Sequence, residues 1–185
     1  MSQRDSGYAR VERDRYETPE WASLAVVPHL PANLARIWEP ASGTGKMVRA
    51  LQSLDLDVTG SDIADGADFF AASFDSASAY DAIVTNPPYE TAQAFIEQAL
   101  AFMKPTGVVA MLLRTDFDHA KGRSHLFAHH PAFAKKLVLT KRIVWFERKG
   151  AAPSFNHAWY IWDWEHRGSP TIAYYPVTSP GLAQA

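Results

Sequence analysis

The sequence predicts an α/β domain in which a mostly parallel sheet carries helices on both faces. Apolar, strand-like runs alternate with segments of helical periodicity through the first two-thirds of the 185 residues. The last third contains strand-like runs that no long helix separates, so we expect those strands to pair antiparallel at one edge of the sheet. Hydrophobic residues make up 47% of the chain, which is typical of a globular protein with a single core.

The predicted elements follow one another in a regular order. Strands of the parallel part are predicted at 35–40, 57–63, 80–85 and 108–114. Helices are predicted between them, at 20–30 after the Thr18-Pro19 start signal, at 44–54 and at 90–103, because apolar residues there recur on one face. We expect 73–79 to be a loop, 117–129 a loop with a partial helix, and 137–146, 157–164 and 171–177 the later strands.

Composition excludes several classes of protein. No window approaches the roughly 20 apolar residues that span a bilayer, and the charged N-terminus lacks the apolar core of a signal peptide. Because the chain has no cysteine, disulfides, thiolate zinc sites and a cysteine nucleophile are excluded. We expect a cytoplasmic protein that makes no membrane contact, with residues 1–15 as a flexible arm and 16–185 as one domain, monomeric or weakly dimeric.

Charge is unevenly distributed although the net charge is only −2. Residues 50–103 contain nine acids and no Lys or Arg, whereas residues 135–149 contain six basic residues and one acid. One part of the molecule can therefore face a polyanion while another holds a cation or ribose hydroxyls. A solvated surface with chance clustering explains the charge pattern about as well.

A glycine-containing loop, Glu39-Pro40-Ala41-Ser42-Gly43-Thr44-Gly45, follows the first predicted strand. In open α/β sheets ligands bind beyond the carboxyl ends of the strands, where glycines allow close backbone approach. The loop fits neither a P-loop nor a dinucleotide fingerprint, because Pro40, Met47 and Val48 occupy required positions. The carboxylate of Glu39 would repel a phosphate, so a phosphate-free nucleoside cation such as S-adenosylmethionine (AdoMet) is the better ligand.

Two further acids extend this nucleoside pocket. Asp62 ends the second predicted strand and can accept hydrogen bonds from two ribose hydroxyls. Asp68 and Phe69 come where a third strand should end, so Asp68 can accept from the adenine amino group and Phe69 can pack on the ring. The alternative is that both acids are turn residues and that Phe69 belongs to the core.

The most specific stretch is Asn86-Pro87-Pro88-Tyr89, which ends an apolar strand. Two prolines fix the backbone and present carbonyls and the Asn side chain to a cleft. An exocyclic adenine amine is a poor nucleophile because its lone pair is delocalised into the ring. Acceptance of its N–H groups by the Asn86 oxygen and the Pro87 carbonyl would direct that lone pair at a sulfonium methyl, while Tyr89 stacks on the base. A rigid turn with a half-buried tyrosine is the structural alternative.

Taken together, these motifs resemble class I AdoMet-dependent methyltransferases of the Asn-Pro-Pro-Tyr type, and most closely small phage or prophage adenine-N6 DNA methyltransferases. The resemblance runs in the family's order over roughly residues 16 to 164. It implies a Rossmann-like, seven-stranded sheet with an antiparallel last strand, for which 157–164 is the candidate. It implies AdoMet as cofactor, DNA (alternatively RNA) as partner, and methylation of the adenine N6 amino group.

The resemblance also assigns roles to individual residues. The segment 16–21 resembles the motif that closes over the methionine part of AdoMet. Catalysis falls to Asn86, Pro87, Pro88 and Tyr89. Cofactor binding falls to Tyr16, Thr18, Pro19, Glu39, Ala41, Gly43, Gly45, Asp62, Ile63, Asp68, Phe69 and Asn86. Contact with the nucleic acid falls to Tyr89, Phe155, Lys141, Arg142, Arg148 and Lys149, with Phe155 as a second ring for the flipped base or, equally, a simple core or hairpin contact.

Other features point to limited specificity and to rival functions. Little sequence outside the motifs is left for target recognition, so weak or very short sequence specificity is expected. His125 and His129 lack a third partner for a metal, and no metal site is expected. The Asn-Pro-Pro-Tyr motif also occurs in methyltransferases acting on RNA bases or protein glutamines, and an inactive nucleic-acid-binding module could keep the same fold.

Overall fold

A computed structural model describes residues 17–145 and 155–176 of the chain. In this part of the chain a single seven-stranded sheet is formed. The strands are β1 (Arg36–Glu39), β2 (Asp57–Gly60), β3 (Ala82–Thr85), β4 (Val108–Arg114), β5 (Phe133–Leu139), β6 (His157–Asp163) and β7 (Thr171–Tyr175). The α-helices are α1 (Glu20–Leu24), α2 (Lys46–Gln52), α3 (Phe74–Ala77) and α4 (Ala92–Met103).

The strand order reverses between β1 and β3, because the chain adds β2 on one side of β1 and then β3 on its other side. Across the sheet the order is β2-β1-β3-β4-β6-β5-β7. The pairs β1–β2, β1–β3, β3–β4 and β5–β7 are parallel, and β6 is antiparallel to both β4 and β5. The carboxyl ends of every strand except β6 therefore meet at one edge, and a ligand crevice is expected where the order reverses.

Two apolar layers cover the faces of the sheet. α1 and α2 contribute Ala22, Met47 and Leu51 to the core on one face. α4 contributes Phe95 and Ile96 to the core on the other face. Strands in the middle are buried on both sides, which explains why β3 and β4 read as continuous apolar runs in the sequence. The predicted fold class, a mostly parallel sheet with helices on both faces, is confirmed.

The antiparallel strand lies inside the sheet, which corrects its predicted position at an edge. The segment predicted at 157–164 forms β6 and runs antiparallel, as expected. It is flanked by β4 and β5, and its Trp159, Tyr160 and Trp162 side chains are fully buried. The outer strand is β7, which runs parallel to β5 and exposes Ile172 and Tyr174.

Three other predicted elements differ from the structure. The predicted third strand near Asp68 is replaced by 3₁₀ helices at Ile63–Asp65 and Phe69–Ala71. The strand predicted at 137–146 forms earlier, at Phe133–Leu139, where its backbone pairs with both β6 and β7. The charge of Lys136 within this strand is paired with Asp118, whose Oδ2 accepts from the ammonium at 2.8 Å. Residues 73–79, predicted as a loop, include the short helix α3, whose N-terminus the Ser73 side chain caps.

None of the helices in the described residues combines the length and the apolar character needed to cross a bilayer.

Trp159 joins β6 to α1 and provides a test of the packing. Its indole Nε1 donates to the Ala22 carbonyl at 2.8 Å in the buried core. We expect Trp159→Phe to lower the free energy of unfolding by about 1 to 3 kcal/mol, because the carbonyl loses its donor and the smaller ring leaves a void. Urea denaturation measures the change. Trp164→Phe, at a partly buried position with a 3.2 Å bond to the Leu100 carbonyl, is the matched control and should cost less. Equal losses in both variants would contradict this account.

Candidate active site

A cleft of about 930 Å³ opens at the carboxyl ends of β1, β2 and β3, where the strand order reverses. Its volume is typical of sites that enclose a small organic ligand. The residues that line it come from the glycine loop, the turns after β2 and β3, and the segment before α1. They include Glu17, Thr18, Glu39, Ala41, Gly43, Asp62, Ile63, Asp68, Phe69, Phe70, Asn86 and Pro88.

The glycine loop connects β1 to α2 and is held against the turn after β2. Gly43 and Gly45 adopt positive φ angles of 53° and 80°, which favour glycine. The Ser42 amide donates to the Ser61 carbonyl at 3.0 Å, and the Ser61 amide donates to the Glu39 carbonyl at 2.9 Å. Gly43 lines the cleft, whereas Gly45 caps the N-terminus of α2.

Asp62 joins the two loops from the β2 side. Its Oδ2 accepts from the Gly43 amide at 2.8 Å, and its Oδ1 accepts from the Ala64 amide at 2.8 Å. The second bond caps the 3₁₀ helix at Ile63–Asp65. Since each carboxylate oxygen has two lone pairs, the group retains acceptor capacity toward the cleft while these bonds fix its orientation.

Glu39 is a buried carboxyl group at the floor of the cleft. Its Oε1 accepts from the Thr85 hydroxyl at 2.7 Å, which ties the end of β1 to the end of β3. Burial raises the pKa of Glu39 to about 8, against the hydrogen bonds from Thr85 and the Asn86 backbone, and the nearby Asp62 charge raises it further. A cation placed beside Glu39 would favour its ionised form.

The apolar wall of the cleft follows Asp62 and Asp68. Ile63 is 64% exposed and Phe70 43% exposed, although both side chains are large and apolar. Phe69, predicted to pack on a ligand ring, is only 3% exposed and stacks on Phe95 with ring centroids 4.6 Å apart. Asp68 Oδ1 accepts from the Phe70 amide at 2.9 Å. Phe70, which sequence reasoning passed over, therefore offers the more accessible ring.

The segment before α1 lines the cleft beside the glycine loop. The Thr44 hydroxyl donates to the Glu17 carboxylate, and Glu17 and Thr18 both line the cleft. Pro19 lies outside it, where its carbonyl accepts from the Ala22 amide at 2.9 Å. Glu17 was not singled out from the sequence, and Tyr16 lies outside the described residues.

The Asn-Pro-Pro-Tyr corner turns the chain out of β3 at the same cleft. Asn86 and Pro88 line the cleft, whereas Pro87 is buried and lies outside the lining. The side-chain oxygen of Asn86 is itself buried. Tyr89 is half-buried and lies outside the cleft lining, with its hydroxyl 3.0 Å from His157 Nε2 on β6.

Aromatic and charged side chains cluster on the β4–β6 side of the same edge. The Arg114 guanidinium lies 4.1 Å from the centroid of the Phe155 ring and pairs with Asp116 at 2.8 Å. Phe155, predicted to stack on a base, therefore already carries a cation on one face. The Trp145 ring meets His157 edge-on, at 5.2 Å and 84°.

The predicted basic face is only partly described. Lys141 and Arg142 are exposed beyond the end of β5, with the Lys141 ammonium 4.7 Å above the Trp21 ring. Arg148 and Lys149 lie outside the described residues. Lys136, part of the same basic stretch of sequence, is paired with Asp118 and has a largely buried side chain, so it cannot contribute to this face.

The structure shows one neighbour of the motif that the sequence did not reveal. His157 is 2% exposed, and burial lowers its pKa to about 4. Nothing in the strand pattern distinguishes this histidine from a core residue, because the partner, Tyr89, lies far away in the chain. Among the residues described, no group of three or more His, Asp or Glu side chains is arranged to hold a metal ion.

Comparisons with known proteins identify the fold. No protein-family model matches the sequence, and no curated protein was found to be similar. A structure from Listeria monocytogenes, assigned to the class I S-adenosylmethionine-dependent methyltransferases, is similar with a TM-score of 0.58 and 14% identity, over 92% of this chain and 69% of that one. A structure from Vibrio vulnificus, assigned as a modification subunit of a type I restriction enzyme, is similar with a TM-score of 0.56 and 18% identity, over 90% of this chain and 48% of that one. The chain therefore has the Rossmann-like fold of class I methyltransferases and spans about half the length of the Vibrio protein.

Proposed function

We propose that this protein transfers a methyl group from AdoMet to the N6 amino group of adenine in DNA. One observation carries the proposal: Asn86 and Pro88 line the same cleft as Gly43 and Asp62. A motif suited to gripping an exocyclic amine and a loop suited to a nucleoside therefore face one another. The fold shared with the Listeria and Vibrio structures supports AdoMet as cofactor, and the restriction-modification assignment of the Vibrio protein supports DNA as substrate.

The residues in the cleft fit AdoMet in size, shape and charge. Asp62 is held so that its carboxylate can accept from ribose hydroxyls. Glu39, whose buried carboxyl stays largely protonated at neutral pH, would pair in its ionised form with the ammonium of the methionine part. Ile63 and Phe70 provide exposed apolar surface for the adenine ring, and Asp68 lies beside Phe70. Thr18 and Ala41 also line the cleft, and Phe69 packs into the core behind its apolar wall.

The proposed chemistry needs orientation and electrostatics rather than a covalent nucleophile. When bound, AdoMet supplies an electrophilic methyl group. The adenine amine donates its N–H groups to the Asn86 side-chain oxygen and the Pro87 carbonyl, which directs the nitrogen lone pair at that methyl. Formation of the N–C bond would break the C–S bond of AdoMet and leave its electrons on sulfur, and the amine would lose one proton to solvent. A rotation of the Asn86 amide by about 180° exchanges its oxygen and nitrogen, so the buried oxygen can be turned toward the amine.

The target base must leave its stack before it can enter such a site. Extruding a nucleotide from a duplex costs a few kcal/mol, which contacts to the strand must offset. Lys141 and Arg142 extend from the edge where the cleft opens and are suited to phosphates, as Arg148 and Lys149 are in sequence. Tyr89 holds the base by its ring. Between β4 and β5 the described chain forms only short 3₁₀ helices, which supports weak or very short sequence specificity.

The direct test is mass spectrometry of nucleosides from DNA incubated with the protein and AdoMet, with RNA and protein substrates assayed in parallel. N6-methyladenine in DNA alone is the expected result. If RNA or a protein glutamine were methylated and DNA were not, the same amine or amide chemistry would be assigned to that other substrate class. Titration calorimetry with AdoMet separates these outcomes from an inactive module, because failure to bind AdoMet would overturn the enzymatic proposal altogether.

Replacing Asn86 tests the grip on the amine. Asn86→Ala is expected to retain AdoMet binding and to lose kcat by at least about a hundredfold, because one of two acceptors on the amine is removed. Single-turnover methylation and calorimetry measure the two effects. Asn33→Ala, at an exposed position outside the cleft, is the control and should behave as the unchanged protein does. Full turnover in Asn86→Ala would refute the proposed orientation.

The raised pKa of Glu39 predicts that AdoMet binding releases a proton. Glu39 is mostly protonated below its pKa of about 8. An ammonium group beside it favours ionisation, so affinity should increase as the pH rises from about 6 to 8. Calorimetry in two buffers of different ionisation enthalpy should give different binding enthalpies at pH near 7. Glu39→Gln should abolish that difference, and a buffer-independent enthalpy in the unchanged protein would exclude the pairing.

The same raised pKa has a consequence for the free protein's stability. Because the folded-state pKa of about 8 lies above the unfolded value of 4.5, the stabilising contribution of protonated Glu39 is fully present below pH 4.5. It is lost progressively as the pH rises from there through the folded-state pKa of about 8. Glu39→Gln should therefore flatten the decline of unfolding free energy over that range, measured by urea denaturation at a series of pH values. An unchanged pH dependence in the variant would assign the decline to other groups.

Salt dependence tests the proposed nucleic-acid face. If about four cations contact phosphates, DNA affinity should fall by roughly a hundredfold between about 50 and 200 mM salt. Lys141→Gln combined with Arg142→Gln should reduce the slope of log affinity against log salt by about two. Lys104→Gln combined with Arg167→Gln removes the same charge from exposed residues at the opposite end of the strands and should leave the slope unchanged. A slope that responds equally to both pairs would argue against a localised face.

A further inference from the structure

We propose that His157 is a positioning residue, which holds Tyr89 of the Asn-Pro-Pro-Tyr corner in place through the tyrosine hydroxyl. The inference rests on the proposed function, since it assigns the tyrosine a base-holding role. It concerns a residue in a different strand from the motif and outside the lining of the cleft.

The hydrogen bond between the two residues is the first observation. The Tyr89 hydroxyl lies 3.0 Å from His157 Nε2, within hydrogen-bond distance. Their ring centroids are 6.3 Å apart with a 32° angle between the planes, so the rings meet by their polar atoms and do not stack. The contact with His157 is made by the Tyr89 hydroxyl and not by the face of its ring.

The surroundings of His157 make it a rigid anchor. Its side chain is 2% exposed and lies opposite Arg114 in the β4–β6 ladder. The Trp145 ring packs edge-on against it. Arg114 and Asp116 are the charged groups that face it, and burial is the main reason why its pKa falls to about 4. The ring is therefore neutral at physiological pH, and a neutral imidazole forms one bond with a tyrosine hydroxyl in either tautomer.

The position of β6 explains why the anchor can reach the motif. Because β6 runs antiparallel to β4, its first residue lies at the edge where the other strands end. Tyr89 follows the two prolines at that same edge, one residue beyond Pro88 in the cleft. The hydrogen bond thus connects the last residue of the Asn-Pro-Pro-Tyr corner to β6, inside the sheet. A phenylalanine at position 89 could stack on a base but could not be held in this way.

We expect the two single variants to lose activity equally and the double variant to show no further loss. Tyr89→Phe and His157→Phe should each lower kcat for DNA methylation by about tenfold, with AdoMet affinity unchanged, because the base-holding ring loses its fixed position. The double variant should lose no more than either single variant. His157→Gln, which retains a polar atom near the place of Nε2, should recover part of the loss. Tyr174→Phe removes a hydroxyl at the exposed sheet edge and is the matched control.

Multiplying losses, about a hundredfold in the double variant, would show that the two side chains act separately and would overturn the proposal. The proposal would also be overturned if His157→Gln recovered none of the lost activity although His157→Phe folds and binds AdoMet. Nitrogen NMR of the histidine rings supplies a readout that needs no turnover. Tyr89→Phe should shift the His157 Nε2 resonance, and Tyr174→Phe should not. An unshifted resonance would refute the Tyr89–His157 contact even if DNA is methylated. A shifted resonance without any methylated adenine would support the contact and reject the proposed function.

Discussion

The carboxyl group of Glu39 lies under the point where the sheet reverses its strand order, and the rest of the site depends on its bond to Thr85. That bond joins the end of β1 to the end of β3. It places the glycine loop, which leaves β1, beside the Asn-Pro-Pro-Tyr corner, which leaves β3. A buried carboxyl is costly when ionised without a partner, and burial accordingly raises the pKa of Glu39 to about 8. In the proposed complex, the ammonium of AdoMet would supply that partner and favour the ionised form.

The carboxyl edge of the sheet is divided into two parts with different chemistry. On the β2–β1 side, backbone amides, two acids and exposed apolar side chains surround a cleft suited to a nucleoside. On the β4–β6 side, Arg114 lies against Phe155, and Trp145 packs edge-on against the buried His157. The Asn86 corner lies between the two parts. In the proposed reaction, this arrangement presents a methyl donor from one side and an amine from the other, with the acceptor groups at their boundary.

Much of this arrangement was accessible from sequence because its signals are local. The apolar runs of β3 and β4 are continuous in the chain, and the glycine loop and Asp62 each follow a strand-like run. The 3₁₀ helices near Asp68, where a strand was expected, and the early start of β5 could not be predicted. The bounds of β5 follow from its pairing with β6 and β7, which come later in the chain. Phe69 and Phe70 illustrate the limit. Adjacent aromatic residues have equal propensities, and tertiary packing decides which ring is buried. Both rings contact Phe95, but Phe69 also packs on Trp38 and Phe102.

The internal position of β6 has the largest functional consequence among the features that the sequence did not predict. A strand at the rim would have placed His157 beside solvent and away from the end of β3. Inserted between β4 and β5, the strand buries its tryptophans in the sheet and brings its first residue beside Tyr89. The strand order that completes the core thus also anchors the motif proposed to hold the substrate. His157 is buried, so removal of the Tyr89 hydroxyl would leave its imidazole desolvated without that partner, which costs more than the bond itself contributes. In the proposed pairing, coupling between Tyr89 and His157 would therefore follow from burial of the histidine as much as from the hydrogen bond.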